Sequence, residues 1–254
     1  MIRELAENPN VHQPLSEGRS LHLDPDGRFA IYLAPGTSVH SATVQRVRLG
    51  ADDVAPAVDE IRALLRSLGR EGAEWELGES SAPVDLVERL LAMGLRRDED
   101  EPLALGMALR DASLAVPAGV VARAVVSPDE LVAAREVQRA AFDDPRPVDP
   151  VQATHDFASE GVDGSTFVAF VDGELVAAAY ASYTRWGVIL FGGATLPAAR
   201  GRGAYRALVA ARAAEAATRG TPVLVTHAGR MSLPILERLG FVRIARIDRL
   251  LDEL

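Results

Sequence analysis

The chain contains no cysteine and no lysine, and only 5% of its 254 residues are aromatic. Without cysteine there is no disulfide framework, no thiolate metal site and no cysteine nucleophile. Without lysine, a nucleoside-triphosphate loop of the form G-x-x-x-x-G-K-[ST] is excluded. No apolar run approaches the ~18 residues that a membrane span needs. The opening MIRELAENPNVHQPL carries two acids in its first seven residues and no apolar stretch of the signal-peptide kind. The expectation is a cytoplasmic protein with no membrane partner and no metal.

What is present is the balance of a folded protein, 48% hydrophobic and 25% charged. The length suits two domains of roughly 120 residues each. A net charge of −9 argues against nucleic acid, whose backbone demands a basic face. The charge is unevenly placed. Residues 1–118 hold 20 acids against 12 arginines, whereas 194–249 hold ten arginines against three acids, Glu215, Glu237 and Asp248. An anion would find the second stretch favourable.

Hydrophobic periodicity divides the chain further. Residues 28–34 and 40–49 alternate with period two around Pro35-Gly36, as a hairpin does. Val54, Val58, Ile61, Leu64, Leu65 and Leu68 have helical spacing, with Asp52 or Asp53 as the cap. A strand at 73–77, a helix from Pro83 to Met93 and a strand at 103–109 follow, and Ser113–Val120 reads as a linker. Beyond it come a strand at 121–126, a helix opened by the capping box Ser127-Pro128-Asp129-Glu130, and a second short helix at 151–159. Three strands crowd together at 166–171, 174–183 and 188–195. A helix at 202–219, a strand at 222–227, a helix at 233–239 and a strand at 241–250 complete the chain. The fold class expected is α/β (α+β), a mixed, mostly antiparallel central sheet flanked by helices with one βαβ crossover. The domains expected are 1–115 and 119–254. They echo each other: each reads strand, helix, strand, helix, strand, and LVERLLAMGL resembles PILERLGF.

The chemistry is carried by TLPAARGRGAYRAL, residues 195–208, where a strand ends and Arg200-Gly201-Arg202-Gly203 opens a long helix. The unpaired amides of a helix start, approached closely across glycine, form a cradle for a pyrophosphate, and Arg200 and Arg202 add charge at its rim. A dinucleotide fingerprint G-x-G-x-x-G would begin at Gly201 and Gly203 but meets Arg206 in place of its third glycine.

The segment resembles the [QR]-x-x-G-x-[GA] motif of the GNAT superfamily of acyl-CoA N-acyltransferases, with Arg200 and Gly203 matching. Residues 121–250 reproduce that family's order of elements, and PILERLGF carries its L-G-F ending. The resemblance implies acetyl-CoA as co-substrate. Gly193, Ala194 and Thr195 would offer strand-edge backbone to the pantetheine, and Arg200, Gly201, Arg202, Gly203, Ala204 and Tyr205 would hold the pyrophosphate. The front half looks like a degenerate copy, with Gly50-Ala51-Asp52-Asp53 in place of the cradle, and its carboxylates would repel phosphate.

Two departures stand out. The sixth motif position is Tyr205 rather than glycine or alanine, so its ring must swing aside or stack over the cofactor. The tyrosine that serves as acid in many relatives, and the asparagine seven residues before it, are Leu236 and Gly229 here. For proton transfer the best-placed candidate is His227, at a strand end, with imidazole chemistry suited to neutral pH. His155, Glu160, Tyr183 and Ser232 are weaker candidates, and Trp186 is a candidate substrate contact. The function implied is transfer of an acyl group, acetyl foremost, from coenzyme A to an amine of a small molecule or peptide within a ternary complex. The rival is a catalytically silent acyl-CoA-binding module. A homodimer is among the assemblies left open.

Overall fold

The computed structural model describes residues 1–110 and 114–254. Its elements are α1 (Ile2–Glu7), α2 (Pro9–His12), β1 (Ser20–Leu23), β2 (Ala30–Leu33), β3 (Ala42–Gln45), α3 (Val54–Ser67), β4 (Gly72–Gly78), α4 (Leu86–Ala92), β5 (Arg96–Arg97) and β6 (Leu103–Arg110). They continue with β7 (Val120–Ala124), α5 (Pro128–Ala141), α6 (Pro150–Phe157), β8 (Gly164–Val171), β9 (Glu174–Thr184), β10 (Gly187–Thr195), α7 (Ala204–Thr218), β11 (Val223–Ala228), α8 (Leu233–Arg238) and β12 (Val242–Glu253). The arrangement is the expected one: mixed α/β, with mostly antiparallel strands flanked by helices.

The chain divides into two compact units. The first comprises Met1–Met107, His227–Arg238 and Val242–Leu254; the second comprises Ala108–Thr226 and Leu239–Phe241. The division differs from a cut near residue 115, because the last helix and strand pack with the front half. The reason lies in β12, which pairs with β4 over seven residues from Ile247↔Gly78 to Glu253↔Gly72. The expected linker begins at Ser113, outside the described residues.

In the first unit, β1, β2 and β3 pair antiparallel, β3 runs parallel to β4, and β12 lies antiparallel beyond β4. The spacing of Val54, Val58, Ile61 and Leu65 builds one apolar face of α3, which packs with Leu86 and Leu90 of α4 on Trp75, Val44 and Leu250. Trp75 is fully buried there. The alternation of β4 turns Glu74 and Glu76 the other way. Asp53 is the N-cap of α3, one of the two residues expected there, although its side chain makes no capping bond; one expectation is corrected, since α4 begins at Leu86, three residues after Pro83. Sequence periodicity also missed α1, α2, β1 and β5, which are too short to develop a pattern.

In the second unit the strand order is β11, β10, β9, β8, β7, antiparallel except for the parallel β10·β11 pair. There are therefore two βαβ crossovers, one in each unit, where the sequence indicated one. Leu131, Ala134 and Val137 of α5 and Ala153 of α6 form a core with Val168 and Ala178. The capping box forms: Ser127 Oγ accepts from the Glu130 amide at 3.2 Å, and Glu130 accepts from the Val126 amide at 2.9 Å.

Candidate active site

The second unit prepares a gap along β10. That strand pairs with β9 from Gly187↔Thr184 to Phe191↔Tyr180, then resumes one residue out of step at Ala194↔Ala178. The extra residue is a bulge, and Gly192 within it takes φ +56°. On its other edge β10 pairs with β11 only at Val188↔Leu224 and Ile189↔Val225, and Thr226 Oγ1 donates to the Leu190 carbonyl at 3.0 Å. Beyond that bond, the β10 edge that carries Gly193 and Thr195 has no strand partner among the described residues.

Past Thr195 the chain makes one short 3-10 turn, Pro197–Ala199, and enters α7 through Gly201 at φ +79° and Gly203 at φ +92°. Gly203 is the N-cap, left-handed, with no side chain bonded across the helix start. The first-turn amides of a 15-residue helix are thus left for another acceptor. A Cβ on Gly203 would stand 2.6 Å from Pro117 Cγ, so glycine is required both by the backbone angle and by the proline above it. Arg200 is exposed, and its Nε donates to the Thr195 carbonyl at 3.3 Å. Arg202 pairs with Asp172 in the β8–β9 turn. The structure therefore gathers Gly193, Ala194, Thr195, Arg200, Gly201, Arg202, Gly203, Ala204 and Tyr205 on one strand end and one helix start.

The Tyr205 ring turns aside, onto β10. A Cβ on Gly193 would lie 2.8 Å from Tyr205 Cε2, so the ring rests on β10 in the space that glycine leaves. A large residue at the sixth motif position is accommodated by a small one on the strand opposite. On the same face of α7, Arg212 is fully buried, donating from Nε to the Leu208 carbonyl at 3.0 Å. Burial pulls its guanidinium down to about 10, against the Tyr205 hydroxyl beside it.

The first unit shows how such a gap is filled from within. Its β3 ends at the pair Gln45↔Ala30, and the next residue, Arg46, takes φ +55°. Its parallel pairing with β4 also stops after two residues, Thr43↔Glu74 and Val44↔Trp75. Here Ala82 enters the gap: its amide donates to the Val47 carbonyl at 3.0 Å, and its carbonyl accepts from the Leu49 amide at 3.1 Å. Ala82 thus occupies the groove through one isolated parallel bridge with Arg48. The mock cradle is filled as well, since Asp53 Oδ2 comes within 2.6 Å of the place a Gly50 Cβ would take. Counting from the two positive-φ residues, Arg46 and Gly192, Val47 and Leu49 correspond to Gly193 and Thr195.

His227 belongs to the first unit and sits in a buried charged network. Its Nε2 lies 2.8 Å from the Ala6 carbonyl and its Nδ1 3.5 Å from Glu76. Glu76 also receives Arg249 Nη2 at 2.9 Å and the Gln45 amide group. Arg249 reaches Glu74 at 3.0 Å and Glu101 at 3.0 Å. Burial alone would raise the Glu76 carboxyl, but His227 and Arg249 against it hold it well below the usual carboxylate range. Burial and the Glu76 charge push Glu74 up instead, with Arg249 and His40 opposing. Sequence reasoning missed this network, because only β12 pairing brings residue 249 beside residue 76.

The remaining candidates have structural employment. Leu236 is core, and Gly229 is glycine because Glu101 Oε1 takes the place of a Cβ. Ser232 Oγ accepts from the Gly229 amide at 3.1 Å. Glu160 accepts from the Thr166 amide at 2.6 Å and hydroxyl at 2.8 Å. Arg219 lies over the Tyr183 ring at 3.6 Å, and Arg185 over Trp186 at 4.1 Å. His155 is on the last turn of α6. No group of metal-binding side chains occurs among the described residues.

Comparison with known proteins agrees with this geometry. The sequence pattern of the acetyltransferase (GNAT) family matches residues 131–241. Residues 131–241 are thus similar to that family, whose members are acyl-CoA-dependent N-acyltransferases. A GCN5-related N-acetyltransferase from Kribbella flavida has the same fold, at 22% identity over 99% of this chain and 95% of that one, with a TM-score of 0.71. So has a tandem GNAT protein from the clavulanic acid biosynthesis pathway, at 17% identity, 99% and 87% coverage and a TM-score of 0.63. A third is the GCN5-related N-acetyltransferase from Sphaerobacter thermophilus, at 18% identity, 94% and 82% coverage and a TM-score of 0.67. A search of curated proteins finds no match.

Proposed function

We propose that the second unit binds acetyl-CoA and transfers its acyl group to an amine of a small molecule or peptide. The observation that carries the reading is the pair of matched gaps. In the first unit, the Val47 C=O and the Leu49 N–H, just past the irregular Arg46, hold the N–H and C=O of Ala82. In the second, the corresponding Gly193 carbonyl and Thr195 amide lie on an edge without a strand partner among the described residues, beside a helix start with no side-chain cap, preceded by Arg200 and Arg202. An extended amide chain ending in a pyrophosphate matches both features, and coenzyme A has that chemistry.

When bound, the co-substrate supplies a thioester, from which the amine takes the acyl group as the C–N bond forms and the C–S bond breaks. The chain's own part is to align: strand-edge amides fix the arm, and the α7 amides and two guanidinium groups neutralise the phosphates. A thiol with a pKa near 8.5 leaves without a dedicated acid, so Leu236 in the place of the usual tyrosine does not forbid transfer. The amine must lose its proton, and kcat/KM therefore rises with pH until the amine or its base is deprotonated. A rate that falls or stays level from pH 6 to 9 would contradict direct attack.

For His227 as that base, the geometry is unfavourable, since both ring nitrogens already face acceptors. His227→Ala is expected to cost about 1–3 kcal/mol of stability, through the polar contacts withdrawn from the Ala6 carbonyl and Glu76, and to leave the pH dependence of kcat/KM unchanged. A fall of about 10²–10⁴ in kcat/KM with a flattened profile would instead establish general-base catalysis. The second reading, a silent acyl-CoA-binding module, is favoured by Leu236 and by the engagement of His227. Release of thiol from acetyl-CoA in the presence of an amine panel separates the two, and the absence of cysteine leaves that assay no background from the protein.

A further inference from the structure

A cavity of about 410 Å³ opens beside the β10 bulge, within the second unit. Its walls are the exposed side of α5, through Arg135, Gln138, Arg139 and Phe142, and the loop that follows, through Asp144 and Arg146. Gln138 ties this cavity to the bulge: its Nε2 donates to the Gly192 carbonyl at 2.8 Å and would lie 2.9 Å from a Cβ on that glycine. The volume lies in the range of small-molecule sites.

The wall is asymmetric in charge. Three guanidinium groups face one carboxylate, Asp144, which Arg146 holds at 2.7 Å. The acids that pair with Arg135 and Arg139 are Asp156 at 2.6 Å and Glu136 at 2.6 Å, and neither lines the cavity. Each of those pairs uses part of a five-donor guanidinium, so N–H groups remain for a further acceptor. The Phe142 ring, 59% exposed, and the aliphatic Val148 give the same cavity an apolar side. Positive donors beside an apolar wall suit a small molecule that carries a carboxylate and an apolar group.

From this placement we infer that the acceptor of the proposed transfer is an amine that also bears a carboxylate, of the class of free amino acids, with its carboxylate on the arginines of α5 and of the loop after it and its amine toward the β10 bulge. The inference rests on the transferase reading and specifies its substrate class. The fork of a guanidinium matches a carboxylate in two bonds, and such charge-assisted bonds are the stronger ones.

The test measures thiol release from acetyl-CoA with free L-amino acids and with the matching L-amino-acid amides, alongside calorimetry of coenzyme A binding. At least one free amino acid is expected to exceed its amide by about ten-fold or more in kcat/KM, the scale of one hydrogen bond to a charged group. Arg139→Ala and Arg146→Ala are each expected to reduce that preference by about ten-fold through KM, with coenzyme A affinity unchanged. Arg146 is 85% exposed, so its variant is expected to fold as the parent does. Amides as good as acids, turnover of carboxylate-free amines alone, or bound coenzyme A with no turnover of either set would overturn the inference. Failure of the parent to bind coenzyme A would overturn the transferase reading itself.

Discussion

Gly203→Val is expected to abolish coenzyme A binding in calorimetry, with a loss of affinity above about 100-fold. The first turn of α7 starts from Gly203 at φ +92°, a conformation that costs a β-branched residue roughly 1–3 kcal/mol. The new Cβ also meets the ring of Pro117 at 2.6 Å, and a proline has little freedom to yield. The helix start must shift, and the amides aimed at the phosphates shift with it. Two hydrogen bonds to a charged group are together worth about 3–6 kcal/mol, more than two decades in affinity. Some stability is lost as well, contrary to the simplest reading of the motif, in which the glycine serves the ligand alone. Gly201→Ala is the control: its Cβ meets nothing within 4 Å, so only backbone strain at φ +79° remains. If the valine variant binds as the parent does, the phosphates lie elsewhere.

The second large effect concerns the first unit. Arg249→Met leaves Glu74 and Glu76, which Arg249 bridges, facing each other with side chains 11% and 5% exposed. Removing one partner of a buried ionic network costs about 3–5 kcal/mol, and the loss is expected as a lower denaturation midpoint at pH 8. The sign of its pH dependence follows from Glu76. A carboxyl held below its unfolded value stabilises the fold above that value, and the contribution fades as acid protonates it, here from about pH 4.5 downward. Arg249 is among the groups that lower Glu76 and oppose the rise of Glu74. The gap between parent and variant should therefore narrow as pH falls through 5. A gap that is constant or widens in acid would mean that Arg249 acts by packing, not charge.

These two residues mark how far the sequence was readable. Around Gly203 nearly everything is local: a strand, a proline, two glycines and a helical run are contiguous, so the cradle can be recognised from one stretch of chain. The partner of Gly203, Pro117, is 86 residues away and gave no signal. The fold class was legible for the same reason, since long periodic segments such as 54–68 declare themselves. The assignment of β12 to the first unit was not, because a strand does not encode which edge it will join. His227 shows the limit most plainly. A histidine at a strand end beside a motif suggests a base, but Glu76 and the Ala6 carbonyl, which engage its ring, come from distant sequence. The degenerate half was half legible: Asp53 announced a spoiled cradle, whereas Ala82 lies more than 30 residues past the edge it blocks, Val47 and Leu49, and looked like the approach to a helix.

The central claim is that one gap of two is open to coenzyme A, and titration calorimetry of the parent chain with coenzyme A tests it most directly. With Ala82 bonded to Val47 and Leu49 in the first unit, and the Gly193 and Thr195 edge without a strand partner among the described residues in the second, the account predicts one site per chain, lost in Gly203→Val. Two sites per chain, or one site that survives Gly203→Val, would contradict it.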